Sequence, residues 1–258
     1  MPLDFAFNER VAQDYAKQRA HPPWVSAQIG RAVVARLGRG ARLLELGVGT
    51  GRIARPIAAA GGRVVGIDLS QEMLREVPPT ADAPIMLLRG DIQSLPVKSS
   101  SMAGVMAVHV LHLIPDWRLA LSEIVRVLRP GGLFIQGRDQ TDPDSIAGQL
   151  RHQLRIAVMA LLPDAQPPAA RASIPQALAA MGGTAQAEQV VACWLESSSP
   201  AAILQGMMSR ADAETWALDD GLLQAAVGRV HEWATAQWGD LARAQPVERR
   251  FLLNVTQF

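Results

Sequence analysis

The sequence predicts an α/β fold in which a mostly parallel sheet of seven strands carries helices on both faces. Short, almost continuously apolar runs alternate with segments whose apolar residues recur at helical spacing. Strands that are apolar on both sides are typical of a parallel sheet that is covered on both faces. The 258 residues, of which 49% are hydrophobic and 19% charged, suffice for one large domain or for one domain with an appendage.

The first forty residues are predicted to be helical. From Val25 onward an apolar residue recurs at every fourth position as far as Leu37, and Gly38 ends the run. We expect the segment 1–40 to form a helical lid beside the domain that follows it.

Five strands are expected in the next segment, residues 41–140. They cover residues 42–46, 63–68, 85–89, 103–109 and 133–136. Pro56 falls within the helix after the first strand and predicts a kink there, because proline removes one backbone hydrogen bond. Ser70 can cap the helix after the second strand. A longer helix is expected from Asp116 onward, with one apolar face formed by Leu121, Ile124, Val125 and Leu128.

The last segment, residues 141–258, is expected to complete the sheet. Its apolar patterns predict helices over 145–162, 173–182 and 200–240, and strands over 188–196 and 247–258. Because helices separate the two strands, we expect the part around 200–240 to be a helical insertion that caps one end of the sheet. Together with 1–40 it would cover the strand ends, with Met207 and Met208 lining or supporting an acceptor pocket.

Composition excludes several functional classes. Twenty-five basic residues against 24 acidic ones create no field that would attract nucleic acid or an anionic membrane. No apolar run reaches the roughly 20 residues that a membrane span needs, and no signal peptide is indicated, so we expect a cytoplasmic protein. The one cysteine, Cys193, excludes an internal disulfide and is expected to be a small buried apolar residue. No histidine spacing suggests a metal site.

A glycine-rich turn after the first strand is the main candidate binding element. Gly47, Gly49 and Gly51 alternate along it, and Glu45 precedes them by two residues. Arg52 occupies the place of the third glycine of the dinucleotide-binding pattern, so the turn does not match that pattern. Glycine lets a ligand approach the backbone closely. The alternative is that these glycines only allow the strand and the next helix to meet.

Two further acids end neighbouring strands. Asp68 ends the second strand, where a carboxylate can accept hydrogen bonds from two ribose hydroxyls. Asp91 ends the third, where it can accept from an adenine amino group. The alternatives are that Asp68 caps the next helix with Ser70 and that Asp91 only forms a turn after Gly90. Acids beside the turn would repel phosphate, so the site suits a nucleoside that carries a cation.

The segment 42–138 resembles the class I S-adenosylmethionine-dependent methyltransferases, in particular the small-molecule branch that includes ubiquinone/menaquinone C-methyltransferases. The resemblance rests on four motifs in order, namely Leu44-Glu-Leu-Gly-Val-Gly-Thr-Gly-Arg52, Gly66-Ile-Asp-Leu-Ser70 with Met73-Leu74, Gly90-Asp91 with Leu95-Pro96, and Leu128-Arg-Pro-Gly-Gly132. It implies a Rossmann-like fold, S-adenosylmethionine as the cofactor and S-adenosylhomocysteine as the product.

The resemblance also implies roles for individual residues around the cofactor. They are Glu45, Gly47, Val48 and Gly49 at the methionine part, Asp68 at the ribose, Leu69 and Met73 near the adenine, and Asp91 and Ile92 at the adenine amino group and ring face. Tyr15 and Arg19 match a Tyr-x-x-x-Arg element that would cover the cofactor; the alternative is a surface pair on a helix.

Two histidines follow the fourth strand at the mouth of the expected site. The resemblance places His109 beside the methionine part and the methyl group. A hydroxyl acceptor needs a general base, and His109 and His112 are the candidates. For His112 the alternative is a histidine that only packs and bonds within the fold.

The sequence therefore predicts an enzyme that transfers a methyl group from S-adenosylmethionine to a small, partly apolar molecule by in-line displacement. The position where nucleic-acid amino methyltransferases carry an Asn/Asp-Pro-Pro-aromatic turn reads His109-Val-Leu-His112, and Cys193 is not in the Pro-Cys setting of cytosine-C5 enzymes. Two alternatives stay open. One is a NAD(P)-dependent oxidoreductase, and the other is a non-catalytic protein that binds S-adenosylmethionine. The acceptor and the oligomeric state are not determined by the sequence.

Overall fold

The computed structural model describes residues 20–78, 85–162, 170–210, 215 and 218–258. Eight strands lie in these ranges. They are β1 (Arg42–Leu46), β2 (Arg63–Asp68), β3 (Met86–Arg89), β4 (Met102–Val108), β5 (Leu128–Thr141), β6 (Thr184–Ala185), β7 (Gln189–Ser198) and β8 (Gln245–Gln257).

Eight α-helices connect the strands within the described residues. They are α1 (Pro23–Leu37), α2 (Ala54–Ala59), α3 (Gln71–Arg75), α4 (Trp117–Val127), α5 (Ile146–Leu161), α6 (Ala170–Ala180), α7 (Pro200–Met208) and α8 (Asp220–Trp238). A 3-10 turn, Leu111–Leu113, follows β4. Among the described residues, no helix is both long enough and apolar enough to cross a membrane.

The strands form one sheet in the order β3-β2-β1-β4-β5-β8-β6, and β7 also pairs with β8. The pairs β1–β2, β1–β4, β2–β3 and β4–β5 are parallel, whereas β6 pairs with β8 in the antiparallel sense. The predicted α/β fold with a mostly parallel sheet is therefore confirmed. The short strand β6 is the addition, because two exposed residues leave no apolar pattern to detect.

The chain divides into two compact units, and the boundaries fall inside β5, β7 and β8. The first, which we call the sheet unit, contains the described residues up to Arg138, the segment that ends at Ala192, and Phe251–Phe258. The second, the helical unit, contains the described parts of Asp139–Pro167 and Cys193–Arg250. The predicted division of the chain into residues 1–40, 41–140 and 141–258 stays a prediction.

Apolar side chains form the core of the sheet unit. The four residues of β4 from Val105 to Val108 are all buried, and α4 adds Leu121, Ile124 and Val127 from one face. The predicted face of α4 contained Val125 in place of Val127. Asp116 caps α4, since its Oδ1 accepts from the amide of Leu119 at 3.0 Å.

Helix α1 packs against α2 at a glycine. A Cβ atom on Gly30 would overlap the carbonyl oxygen of Pro56, so the two helices meet at backbone distance. Pro56 lies in the first turn of α2, where amide groups have no acceptor within the helix. The predicted kink was therefore wrong, because the helix begins later than the sequence suggested.

The C-terminal half follows the predicted elements with two changes. The predicted helical stretch 200–240 contains two helices, α7 and α8. Cys193 is exposed, so the prediction of a buried side chain was wrong. It lies on β7 next to the buried Trp194, and neighbouring residues of a strand point to opposite faces of the sheet.

Candidate functional site

A cavity of about 630 Å³ lies in the sheet unit at the carboxyl ends of β1, β2, β3 and β4. Strand β1 has β2 on one side and β4 on the other, so the strand order reverses beside it, and open α/β sheets bind ligands at such a point. The cavity brings together the predicted residues Glu45, Gly47, Val48, Gly49, Asp68, Leu69, Met73, Asp91, Ile92 and His109.

The glycine turn is fixed by backbone conformation as well as by space. Gly47, Gly49 and Gly51 have φ values of 62°, 55° and 77°, the left-handed region that favours glycine. A Cβ on Gly47 would lie 2.6 Å from Cγ2 of Val110, whereas at Gly49 the nearest such atom is a backbone oxygen at 4.0 Å. Gly47 is thus needed for packing against the segment that follows β4, and Gly49 leaves its backbone open beside the cavity.

Asp68 joins the end of β2 to the glycine turn. Its Oδ2 accepts from the amide of Gly49 at 2.8 Å, and its Oδ1 accepts from the amide of Ser70 at 2.9 Å. Burial raises the pKa of this half-buried carboxyl, and the amides of Ser70 and Gly49 act in the opposite direction. Ser70 itself caps α3 by accepting from the amide of Met73. The carboxylate therefore has an organising role in the turn while it lines the cavity.

Glu45 is the most deeply buried acid of the cavity, with 3% of its surface exposed. Its Oε2 is buried and has no hydrogen-bond partner among the described residues. Burial raises the pKa of Glu45 from 4.5 to about 8; the positive charge of Arg52 lowers it and the negative charge of Asp68 raises it further. A buried carboxyl group without a donor favours its neutral form.

Arg52 also lines the cavity, and it contacts a residue that sequence reasoning missed. Its Nη1 lies 2.7 Å from Nε2 and 3.3 Å from Nδ1 of His21, just before α1. The His21 ring packs edge-to-face on Phe251 with the ring centres 5.4 Å apart. Nothing in the sequence pattern links positions 21 and 52, so no signal could have found this contact.

Asp91 is exposed and is engaged in a local turn. Its Oδ1 accepts from the amide of Gln93 at 2.8 Å, and its Oδ2 accepts from Nε2 of the same residue at 3.2 Å. These contacts match the alternative in which Asp91 forms a turn. The residue still lines the cavity beside the buried Ile92, so the adenine role stays a prediction.

The segment after β4 forms an apolar wall that the sequence did not predict. Val110, Leu113, Ile114 and Pro115 line the cavity there. A run of apolar residues directly after a strand end was the available signal. On the other side of the cavity Leu69 is 67% exposed and offers apolar surface to a ligand.

The two predicted histidines are placed differently. His109 lines the cavity and has a φ of 52°, a conformation that few non-glycine residues adopt and that is found at functional sites. His112 lies in the 3-10 turn and is not among the residues that line the cavity. Tyr15 and Arg19 lie outside the described residues. Over the described ranges, no cluster of three His, Cys, Asp or Glu residues is placed to hold a metal ion.

Comparison with known proteins assigns the central segment to a family. Residues 44–136 match the methyltransferase domain family. Over 127 residues the chain is 35% identical to the ubiquinone/menaquinone biosynthesis C-methyltransferase UbiE of Syntrophotalea carbinolica, an alignment that covers 46% of this chain and 52% of the relative. It is 31% identical over 135 residues to the demethylmenaquinone methyltransferase of Lactococcus lactis, covering 48% and 54%. The chain thus spans about half the length of these relatives.

The fold has a counterpart among solved structures. Phosphoethanolamine N-methyltransferase 2 of Haemonchus contortus, in complex with phosphomonomethylethanolamine and S-adenosylhomocysteine, superposes with a TM-score of 0.53 at 18% identity, over 98% of this chain and 58% of that one. At this identity the likeness concerns the fold. The stretch 44–136 therefore matches a methyltransferase domain, and the fold of the chain is similar to that of a solved methyltransferase.

Proposed function

We propose that the cavity binds S-adenosylmethionine and that the protein transfers its methyl group to a small, partly apolar molecule. The observation that carries the proposal is the position of Asp68: its carboxylate is oriented by two backbone amides at the edge of the cavity, at the strand end next to the switch in strand order. The methyltransferase relatives support the reaction class.

The residues present fit the cofactor. Glycine backbone, four acidic residues and exposed apolar surface at Leu69 meet in one cavity of about 630 Å³, a volume within the range of small-molecule sites. The cofactor supplies an electrophilic methyl group on a sulfonium ion. Asp68 would hold the ribose hydroxyls, and Leu69 with Met73 would pack near the adenine.

The charge of the site disfavours the dinucleotide alternative. Asp68 accepts from the amide of Gly49 in the turn where a dinucleotide fold holds a pyrophosphate, and a carboxylate there repels phosphate. The same carboxylate attracts a ligand with a net positive group near its ribose. We therefore propose S-adenosylmethionine rather than NAD(P) as the ligand.

The acceptor is proposed to lie against the apolar wall after β4. Val110, Leu113 and Ile114 offer it no charge, and His109 is the titratable side chain that the strand end adds to the cavity. For a hydroxyl acceptor His109 would take the proton, while His112 would need to act from outside the cavity lining. The balance of 25 basic and 24 acidic residues supports a small molecule rather than a nucleic acid.

The helical segments are proposed to form the acceptor side of the protein. What supports this is their place in the chain, since residues 1–40 precede β1 and the stretch 200–240 lies between β7 and β8. The cofactor-binding part would then be residues 41–140, with 141–258 completing the sheet.

The cofactor assignment is tested with Asp68→Ala. We expect it to weaken S-adenosylmethionine binding by about 1.5–3 kcal/mol, the range for hydrogen bonds to a charged group, as measured by titration calorimetry. Glu76→Ala is the matched control, because it removes an acid that is exposed and does not line the cavity. Equal affinity of the folded Asp68 variant and the unchanged protein would contradict the ribose role.

Ligand competition and turnover separate the alternatives. We expect S-adenosylhomocysteine to compete with S-adenosylmethionine and NADH to leave its binding unchanged. Methyl transfer is followed as formation of S-adenosylhomocysteine with a pool of small apolar acceptors. Tight NADH binding would favour the oxidoreductase. Binding of S-adenosylmethionine without turnover on any acceptor would favour a non-catalytic protein.

A further inference from the structure

Glu45 and Asp68, two of the four acids that line the cavity, are held in opposite ways. Asp68 accepts one backbone amide on each carboxylate oxygen. Glu45 is almost completely buried, and its Oε2 meets no donor among the described residues. Leaving a charged oxygen buried without a donor is costly, whereas a protonated carboxyl group is neutral and avoids most of that cost.

The charged side chains around Glu45 do not fully compensate the negative charge that its ionised carboxylate would carry. The charged neighbours that act on it are Arg52, from the end of the glycine turn, and Asp68, from the end of β2, and they act in opposite directions. Arg52 is also engaged by His21, which precedes α1. Burial is the largest influence and raises the pKa of Glu45 to about 8. At neutral pH the free protein therefore holds mostly the protonated form.

We propose that Glu45 carries a proton in the free protein and releases it to solvent when a positively charged ligand binds in the cavity, so that the site selects a cationic nucleoside over a neutral one. The O–H bond of the carboxyl group breaks, its electron pair stays on the oxygen and the proton leaves to water. The identity of the cation, S-adenosylmethionine with its sulfonium and ammonium groups, rests on the proposed function.

The coupling fixes the sign of the pH dependence. A cation stabilises the ionised carboxylate, so the ligand-bound form binds fewer protons than the free form. Affinity for S-adenosylmethionine then rises with pH below about 8 and levels off above it. The limit for one released proton is about tenfold per pH unit. A neutral nucleoside such as 5′-methylthioadenosine gains nothing from the ionised form, so its affinity does not rise.

Proton release is measured by titrating S-adenosylmethionine into the protein at pH 7 in buffers of different ionisation enthalpy. We expect release approaching about one proton per site. Glu45→Gln keeps the shape of the side chain and cannot release a proton, so we expect its release to fall close to zero and its affinity to become independent of pH between 6 and 8. Binding without proton release, or equal release by the Gln variant, would overturn the proposal.

A second measurement needs no ligand. Because the pKa of Glu45 is higher in the folded than in the unfolded chain, its contribution to stability is present below pH 4.5 and is lost as the pH rises to about 8. The free energy of unfolding should therefore decline over that range, and less in Glu45→Gln than in the unchanged protein. Identical pH profiles would overturn the proposal even if the Gln variant bound no ligand. Failure to bind S-adenosylmethionine would end the proposed function, whereas binding without proton release would end this inference alone.

Discussion

The two compact units of the chain owe their structure to different kinds of positions. In the sheet unit, contacts of single atoms restrict which residue fits a position. Gly47 has no room for a methyl group beside Val110, and each carboxylate oxygen of Asp68 accepts from a backbone amide. In the helical unit, α5, α7 and α8 surround a cluster of aliphatic residues that includes Leu154, Met207 and Val230. The comparison teaches that the glycine turn constrains residue identity, whereas the aliphatic cluster constrains apolar character and volume.

The largest expected effect lies in the helical unit. Met207→Ala removes a side chain that is fully buried in the aliphatic cluster, and we expect a loss of about 2–5 kcal/mol in the free energy of unfolding, measured by chemical denaturation. Met208→Ala is the control. The side chain of Met208 is 44% exposed, so its loss should cost no more than about 0.5 kcal/mol. Equal losses would show that volume is not what this unit constrains.

An effect of up to the same size is expected in the glycine turn. Gly47→Ala should cost about 1–2 kcal/mol for its left-handed backbone and about 1–3 kcal/mol for overpacking against Val110. Gly49→Ala has the same backbone conformation but free space, so only the first cost applies. Thermal denaturation of both variants measures the difference, and a larger loss at Gly49 would contradict the packing role of Gly47.

The smallest effect is expected at a helix end in the helical unit, where a capping side chain is compared with a surface ion pair. Asp219 caps α8 by accepting from the amide of Leu222 at 2.8 Å, and Asp219→Ala should cost about 0.5–2 kcal/mol in denaturation. The adjacent Asp220 pairs with Arg210 but its side chain is 99% exposed, so Asp220→Ala should change stability by less than about 0.5 kcal/mol. A greater loss at Asp220 would mean that the surface ion pair, and not the cap, holds this helix end.

What could be predicted from the sequence follows the same division. The strand ends of the sheet unit were predictable for two reasons. Buried parallel strands are continuous apolar runs, and the turns that follow them need glycine where the backbone is left-handed. Glu45, Asp68 and His109 accordingly meet in one cavity. Whether each of them binds cofactor stays a prediction.

The remaining features depend on contacts that are distant in sequence. His21 reaches Arg52 over 31 positions, and no local pattern encodes that contact. The exposure of Cys193 depends on which face of β7 is covered, which the pairing of strands decides. Likewise Val127 rather than Val125 is buried on α4, because the elements that pack against the helix decide which of its sides is covered.

The contact between Gly30 and the carbonyl of Pro56 has a practical consequence for anyone who wishes to stabilise this protein. Replacing a glycine inside a helix by alanine normally improves stability by up to about 1 kcal/mol, and α1 offers Gly30 as the obvious place to try it. Here the added methyl group would push α1 away from α2, the helix that follows the glycine turn. An exchange that usually stabilises a helix would thus lower the stability of this part of the fold.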